Sequence, residues 1–233
     1  MDKNRSIIVA AAIAAVGMLL LGLCLKAGID NFVNKDRLVT VKGLAEKQVD
    51  ADKVTWSIIT RETGNDLRTI YNTVNARNAS IVAFLKQNGI TDDEIHVNPI
   101  QVDDREMNEY ANERVSYRYR ARSVITLISN KVDKVRELTG RQNELLERGI
   151  VLENEYGAID YEFTSFTSIK AEMMDQAIAN AQRTAEQFAA STGSDLGKMV
   201  TAEQGIFSIE DLDDNTPYIK ALRVVSTVTY RLD

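Results

Sequence analysis

Residues Lys53–Ile90 read KVTWSIITRETGNDLRTIYNTVNARNASIVAFLKQNGI, and within them the apolar period changes from two to 3.6. Val54, Trp56 and Ile58 alternate with Thr55, Ser57 and Ile59, which predicts a strand with one face mostly buried. From Asn65 to Asn88, Leu67, Tyr71, Val74, Ile81 and Leu85 recur at helical spacing, with Asn78 inside the stripe. Asn65 is the expected N-cap, and Asp66 suits the positive end of the helix dipole. Gly89 predicts a left-handed stop, with Ile90 folding back as the accompanying apolar contact.

The same grammar recurs twice. Asn130 and Asp133 have capping-box spacing ahead of Val132, Val135, Leu138 and Leu145, and Gly149-Ile150 repeats the stop. A third helix is predicted over about Ser168–Thr192, with the stripe Met174, Ile178, Ala181, Ala185 and Phe188 before Gly193. Its many alanines suit close packing on a neighbour, although high helix propensity also explains them. Strand-like stretches fall at Ile95–Val102, Tyr117–Ile128, Ile150–Glu153, Ile159–Phe163, Met199–Ser208 and Leu222–Leu232. Val39–Gly43 is expected to pair with the Val54 strand. Hairpins outnumber crossovers, so the predicted class is α+β: antiparallel sheets with three main helices packed on one side.

Ahead of all this lie twenty residues without a charge, Ser6–Leu25, matching the roughly 20 that a helix needs to span a bilayer. Lys3 and Arg5 precede the run, so the positive-inside bias expects a cytoplasmic stub at 1–5 and everything after the anchor outside. The reading is a single-pass inner-membrane protein: anchor 6–25, tether 26–37, folded region 38–233 in the periplasm or outside. A cleaved signal has a shorter apolar core and a small-residue cleavage site, and the site after Ala27 is poor. Acylation of Cys24 is disfavoured by Leu23 before it. Cys24 is the one cysteine in the chain, so no intrachain disulfide is available and stability must come from an ordinary core.

The chain carries 28 basic and 34 acidic side chains. With Asp2, Lys3, Arg5 and Lys26 set aside, acidic groups still outnumber basic ones, which argues against nucleic acid and anionic headgroups as partners.

Several stretches together resemble the SIMPL-domain family of bacterial envelope proteins. Val39-Thr-Val-Lys-Gly43 followed by Ala51-Asp52-Lys53-Val54 resembles its glycine-containing first strand and the Pro-Asp before the second, with alanine here for proline. Gly89-Ile90 followed by Asp93-Glu94-Ile95 resembles its helix end and acidic-Ile strand start, and Tyr119-Arg120-Ala121 its Tyr-x-Ala strand. Ala171, Ala177, Ala181, Ala185, Gly193, Leu196 and Gly197 resemble its alanine-spaced helix ending in Gly-x-x-Leu-Gly. The similarity covers about Leu38–Leu232. It implies an envelope or stress role and self-association, rings in some members, and brings no catalytic residues.

Chemistry is sparse in the remaining residues. His96 is the one histidine, beside Asp93 and Glu94, and a zinc site or catalytic triad on it would lack ligands. Asp211-Leu-Asp213-Asp-Asn215 begins like a calcium loop, but Thr216 stands where the turn glycine belongs and Leu222 where the bidentate glutamate belongs. No cofactor, metal or catalytic site is expected. Arg118, Arg120 and Arg122, with Arg114 upstream, share one face of a strand at period two. Asp103, Asp104, Glu106 and Glu109 would lie opposite if the chain turns near Asn108–Asn112. An ion-paired hairpin is one reading; the other is that Arg118, Arg120 and Arg122 contact a second subunit in a homo-oligomer. The expected function is a non-enzymatic, anchored envelope protein that self-assembles. The alternative is a small-molecule or peptide binding module lined by Trp56, Tyr119, Tyr161 and Phe163.

Overall fold

The computed structural model describes residues 2–33, 37–107, 116–153 and 157–233, with side chains of the first helix described over 13–26, 28 and 29. The elements run α1 (Asp2–Val33), β1 (Leu38–Asp50), β2 (Lys53–Gly64), α2 (Leu67–Gln87), β3 (Ile95–Val97), β4 (Gln101–Asp104), β5 (Tyr119–Ser129), α3 (Val132–Gly140), α4 (Asn143–Glu147), β6 (Ile159–Glu162), α5 (Phe166–Ser191), β7 (Leu196–Asp211) and β8 (Ile219–Leu232). The fold is α+β with antiparallel sheets and several helices. Two compact units share the chain: Met1–Lys47, Ile169–Ser208 and Arg223–Asp233 form one, Gln48–Ser168 and Ile209–Leu222 the other.

The first unit is built on a three-stranded sheet in the order β1-β8-β7. Contacts from Arg37 to Leu232, Thr40 to Thr229 and Glu46 to Arg223 run in opposite chain directions, so β1 and β8 are antiparallel. α5 lies against β1 and buries Met173, Ala177, Ala181, Ala185 and Ala189, a strict four-residue stripe. The expected stripe is correct at Ala181 and Ala185 and wrong at its ends: Met174 and Ile178 are half-buried, and Phe188 is exposed. The reason is backbone proximity. A Cβ on Gly43 would stand 1.8 Å from the Ala177 carbonyl oxygen and 2.5 Å from the Ala181 nitrogen, so the helix face at Ala177 and Ala181 leaves room for little more than a methyl group.

In the second unit the strand order is β3-β5-β2-β6, with β4 also paired to β5. β2 and β5 run antiparallel in unbroken register from Val54 opposite Ser129 to Gly64 opposite Tyr119. α2 and α3 cover one face of this sheet and close a core of Val54, Trp56, Ile58, Phe84, Ile125, Leu127 and Leu138.

Several local expectations are corrected. β1 and β2 lie in different sheets, because the donors at their junction are taken elsewhere: Ala51 N–H by the Tyr218 carbonyl at 2.8 Å and Asp52 N–H by that of Glu162 at 2.9 Å. The three main helices are therefore divided between two sheets. Asp66, not Asn65, caps α2 by accepting from Arg68 N–H, while the side-chain Oδ1 of Asn65 accepts from Arg118 N–H. The second helix is split into α3 and α4, its N-cap is Lys131, and no side chain caps it. A capping box occurs instead at Thr91 and Glu94. The stretch 150–153 is not a strand. The expected turn near 108–112, with Glu109 and Arg114, lies outside the described residues.

The glycine stops are as expected: Gly89, Gly149 and Gly193 all have positive φ. Ile90 and Ile150 donate back to Leu85 and Leu145 at 3.1 and 2.9 Å, closing the turn as a Schellman motif. α1 continues to Val33, so residues 26–33 of the expected tether are helical. Among the described residues no helix is long and apolar enough to cross a membrane.

Candidate functional site

A groove of about 850 Å³ lies in the second unit between α2 and the outer strands of the sheet. Leu67, Tyr71, Asn75 and Asn78 follow one another along a single face of α2 and form one wall. Val97, Asn98, Pro99, Ile100 and Val102 form the other. Val97 and Val102 pair in register with the buried Ile125 and Ala121, so all four side chains share the sheet face that α2 covers. The groove opens because β3 and β4 extend beyond the cover of the helix. Leu67, Tyr71, Val97 and Val102 keep 45, 54, 53 and 45% of their surface exposed.

Beneath the groove the buried Asn78 exchanges hydrogen bonds with Ser123, at 2.9 and 3.0 Å. Asn98 donates to Thr126 on the opposite sheet face, at 3.1 Å, and Asn75 is exposed on the groove wall. At one end the Asp66 carboxylate accepts from Thr69 and from the Arg68 N–H, which hold its pKa below the usual carboxylate range. The lining is thus largely apolar, with the exposed carboxamide of Asn75 on it, and its two charges, Asp66 and Arg68, are of opposite sign.

The arginine row lies on the opposite sheet face. Ala121, Ser123, Ile125 and Leu127 are buried beneath the helices, so Arg120, Arg122, Val124 and Thr126 point away from them. Arg118 binds both oxygens of Asp104 at 2.9–3.1 Å, approaches Glu106 at 3.1 Å and stacks over Tyr119. The hydrogen bond from Arg118 lowers the Asp104 pKa. Asp103 stands opposite Arg120, and Gln101 opposite Arg122. β4 and β5 therefore pair antiparallel, with the expected cross-strand ion pairing seen at Arg118. Arg122 also lines a recess of about 530 Å³ with Ser57, Ile59 and Thr126.

The two most perturbed carboxylates are structural ties. Desolvation pushes the Asp52 carboxyl up, but hydrogen bonds from Ser165 and Thr164 outweigh it and bring the pKa to about 2. Its oxygens accept from Thr164 N–H, Thr164 Oγ1 and Ser165 N–H at 2.6, 2.9 and 2.8 Å, immediately before α5. Glu94 behaves alike. Burial raises its pKa, while Ser129, Thr91 and Lys131 together lower it to about 2. Its contacts at 2.5–2.9 Å join the turn after α2 to the end of β5.

His96 is exposed on β3, opposite Thr126. Asp213 accepts from Asn215 N–H, Thr216 N–H and Thr216 Oγ1, which makes the acidic loop a side-chain-closed turn. Among the described residues no cluster of histidine, cysteine and acidic side chains is grouped to hold a metal. Of the aromatics expected to line a pocket, Trp56 borders a recess of about 570 Å³ with Arg136 and Glu153 while packing in the core, Tyr161 belongs to the core, and Tyr119 packs on Ile70, Val74 and Ala121. The groove residues were missed from sequence. The available signal was the apolar stripe of α2, which continues into Leu67 and Tyr71, where the sheet no longer covers it.

These features define a two-unit α+β protein whose motif acids and glycines fasten its elements together. A family model described as SIMPL, protein of unknown function (DUF541), matches residues 39–223, and the chain belongs to that family. No curated protein matches the chain.

Proposed function

We propose that this SIMPL protein is a membrane-anchored, non-enzymatic assembly protein. Residues from the tether onward lie outside the cytoplasm, and self-associated copies support envelope integrity or stress tolerance. The observation that carries the proposal is the surface of α1. Every described side chain over 13–26 is exposed, and the large apolar ones keep from 57% (Leu23) to 72% (Met18) of their surface. A helix apolar all round needs a cover, and a bilayer supplies it. The α1 backbone runs through Asp2–Val33, and its 6–25 portion carries no charge.

Self-association is supported by β7, an edge strand of 16 residues. Residues 198–204 are exposed throughout, and Ile206 is 88% exposed. A long exposed sheet edge, here with Met199, Val200 and Ile206 on it, is a template for pairing with another chain. The second contact is the arginine face. Arg118 is held by Asp104 and Glu106 on this face, and the face as a whole, with Arg120 and Arg122, is the side we propose meets an acidic patch of a neighbouring copy. The role of Asp52 and Glu94 as anchors fits a protein without catalytic carboxylates.

The test is multi-angle light scattering of the full chain in detergent, with detergent mass subtracted. The expected particle contains several copies, and Arg120→Glu reduces its mass. A monomer at all concentrations would remove self-assembly from the proposal.

A further inference from the structure

We propose that β7 pairs antiparallel with β7 of a second copy about a two-fold axis at Gln204, joining two three-stranded sheets into one of six strands. The inference rests on the self-association read above and assigns it one interface with a fixed register. β7 runs from Leu196 to Asp211 at the end of the order β1-β8-β7, so one of its edges is open among the described residues. Residues 198–204 are exposed in succession, which in a strand means on both faces. The stretch contains no proline, so every N–H along it can donate to a ladder.

The charges of the strand select a second copy and its direction. Lys198 lies near one end, Glu210 and Asp211 at the other. Asp211 is bound by Lys220 of β8, which leaves the exposed Glu210. A parallel pair would set lysine beside lysine and acid beside acid, whereas an antiparallel pair sets each Lys198 against the acidic end of the other copy. Rotation about an axis normal to the sheet keeps like faces together, so with a period of two the axis must pass through a residue. At Gln204 it places Lys198 opposite Glu210 twice, Met199 opposite Ile209, and Ala202 opposite Ile206. An axis at Glu203 would set that carboxylate against its own copy, and one at Ala202 would set Lys198 against Ile206. Met199, Val200, Ile206 and Ile209, exposed at 47, 47, 88 and 40%, all lie along the joint.

The experiment uses the full chain in detergent, with Cys24→Ser to remove the one native thiol. Ala202 and Ile206 stand four strand residues apart, about 13 Å, too far to bridge within one chain. Mild oxidation should therefore join the double variant Ala202→Cys, Ile206→Cys into covalent dimers, while either cysteine alone stays at the level of the cysteine-free chain. By light scattering, Lys198→Glu and Glu210→Lys should each raise the concentration of half-assembly at least fivefold, and the two together should return it to within twofold of wild type. All four positions are exposed, so thermal unfolding of the variants should match the wild type. Cross-linking in the single cysteine variants, or charge variants that assemble as the wild type does, would overturn the pairing. An assembled particle that loses mass in Arg120→Glu yet gives no β7 cross-link would overturn this proposal alone and leave the arginine face standing. A monomer at all concentrations would overturn both. In whole membranes, the same cysteines joined to a polypeptide of different mass would assign the edge to another protein and contradict the proposal.

Discussion

Replacing Gly43 with alanine adds one methyl group where the structure has no room for it. The new Cβ would stand 1.8 Å from the Ala177 carbonyl oxygen, 2.5 Å from the Ala181 nitrogen and 2.8 Å from the Ala181 Cβ. Two of these three are backbone atoms of α5, so no rotamer change relieves the contact, and β1 and α5 must separate by more than about 1 Å. That movement loosens the cluster of Val41, Ala181, Ala185, Val228 and Tyr230 around the site. Overpacking of this kind costs about 1–3 kcal/mol, and the rigid neighbours place Gly43→Ala at or above the top of that range. Greater alanine rigidity in the unfolded chain returns about 0.5–1 kcal/mol. The net expectation is a loss of about 2–3 kcal/mol, or roughly 4–12 °C in Tm for a chain of this size. Gly140→Ala is the control. Nothing lies within 4 Å of its Cβ position, and better helix propensity should leave stability equal or up to about 1 kcal/mol higher. Urea unfolding followed by circular dichroism compares the variants, with hydrogen exchange in β1 and α5 locating the effect. A Gly43→Ala protein within about 0.5 kcal/mol of wild type would refute the close packing of β1 on α5.

Asp52 and Glu94 have folded pKa values near 2, against ordinary values of 3.8 and 4.5. Their stabilisation is full above the ordinary values and lost as pH falls from about 4.5 towards 2, on the order of 2 kcal/mol each. Asp52→Asn and Glu94→Gln should each be less stable at pH 7 and flatten the acid limb of a Tm-against-pH curve; an unchanged limb would contradict this. Asn78→Ala leaves the buried Ser123 hydroxyl without its partner and should cost about 1–3 kcal/mol, while Asn78→Leu combined with Ser123→Ala should recover part of the loss. Equal costs for the single and double variants would argue against a coupled pair. Calcium titrated at millimolar concentration should give no heat, because the Asp213 carboxylate already accepts three hydrogen bonds within its own turn; a saturable signal abolished by Asp213→Asn would show a cation site.

Local periodicity carried most of the element assignments. The strand at Val54, the helix at Leu67 and the three glycine stops follow from side-chain spacing and positive φ, which are properties of short segments. Long-range partners were not legible. Asn65 reads as a cap, yet its amide serves Arg118, 53 residues away. Hydrophobicity pointed to Met174 and Phe188 on α5, whereas the buried stripe is set by how closely β1 approaches at Gly43. Of the aromatics that looked able to line a pocket, Trp56 borders a recess, whereas Tyr161 is buried in the core because helices cover its strand. The groove emerged only when strand register placed Val97 and Val102 on the same side as Leu67 and Tyr71.

The account rests most heavily on α1 as a bilayer-spanning anchor with the folded units on the outer side. Alkaline phosphatase and green fluorescent protein, fused separately after Asp233, measure this directly. Active phosphatase and dark fluorescent protein, both in the membrane fraction after alkaline extraction, are the expected result. Bright fluorescence with inactive phosphatase would put the C-terminus in the cytosol and contradict the claim.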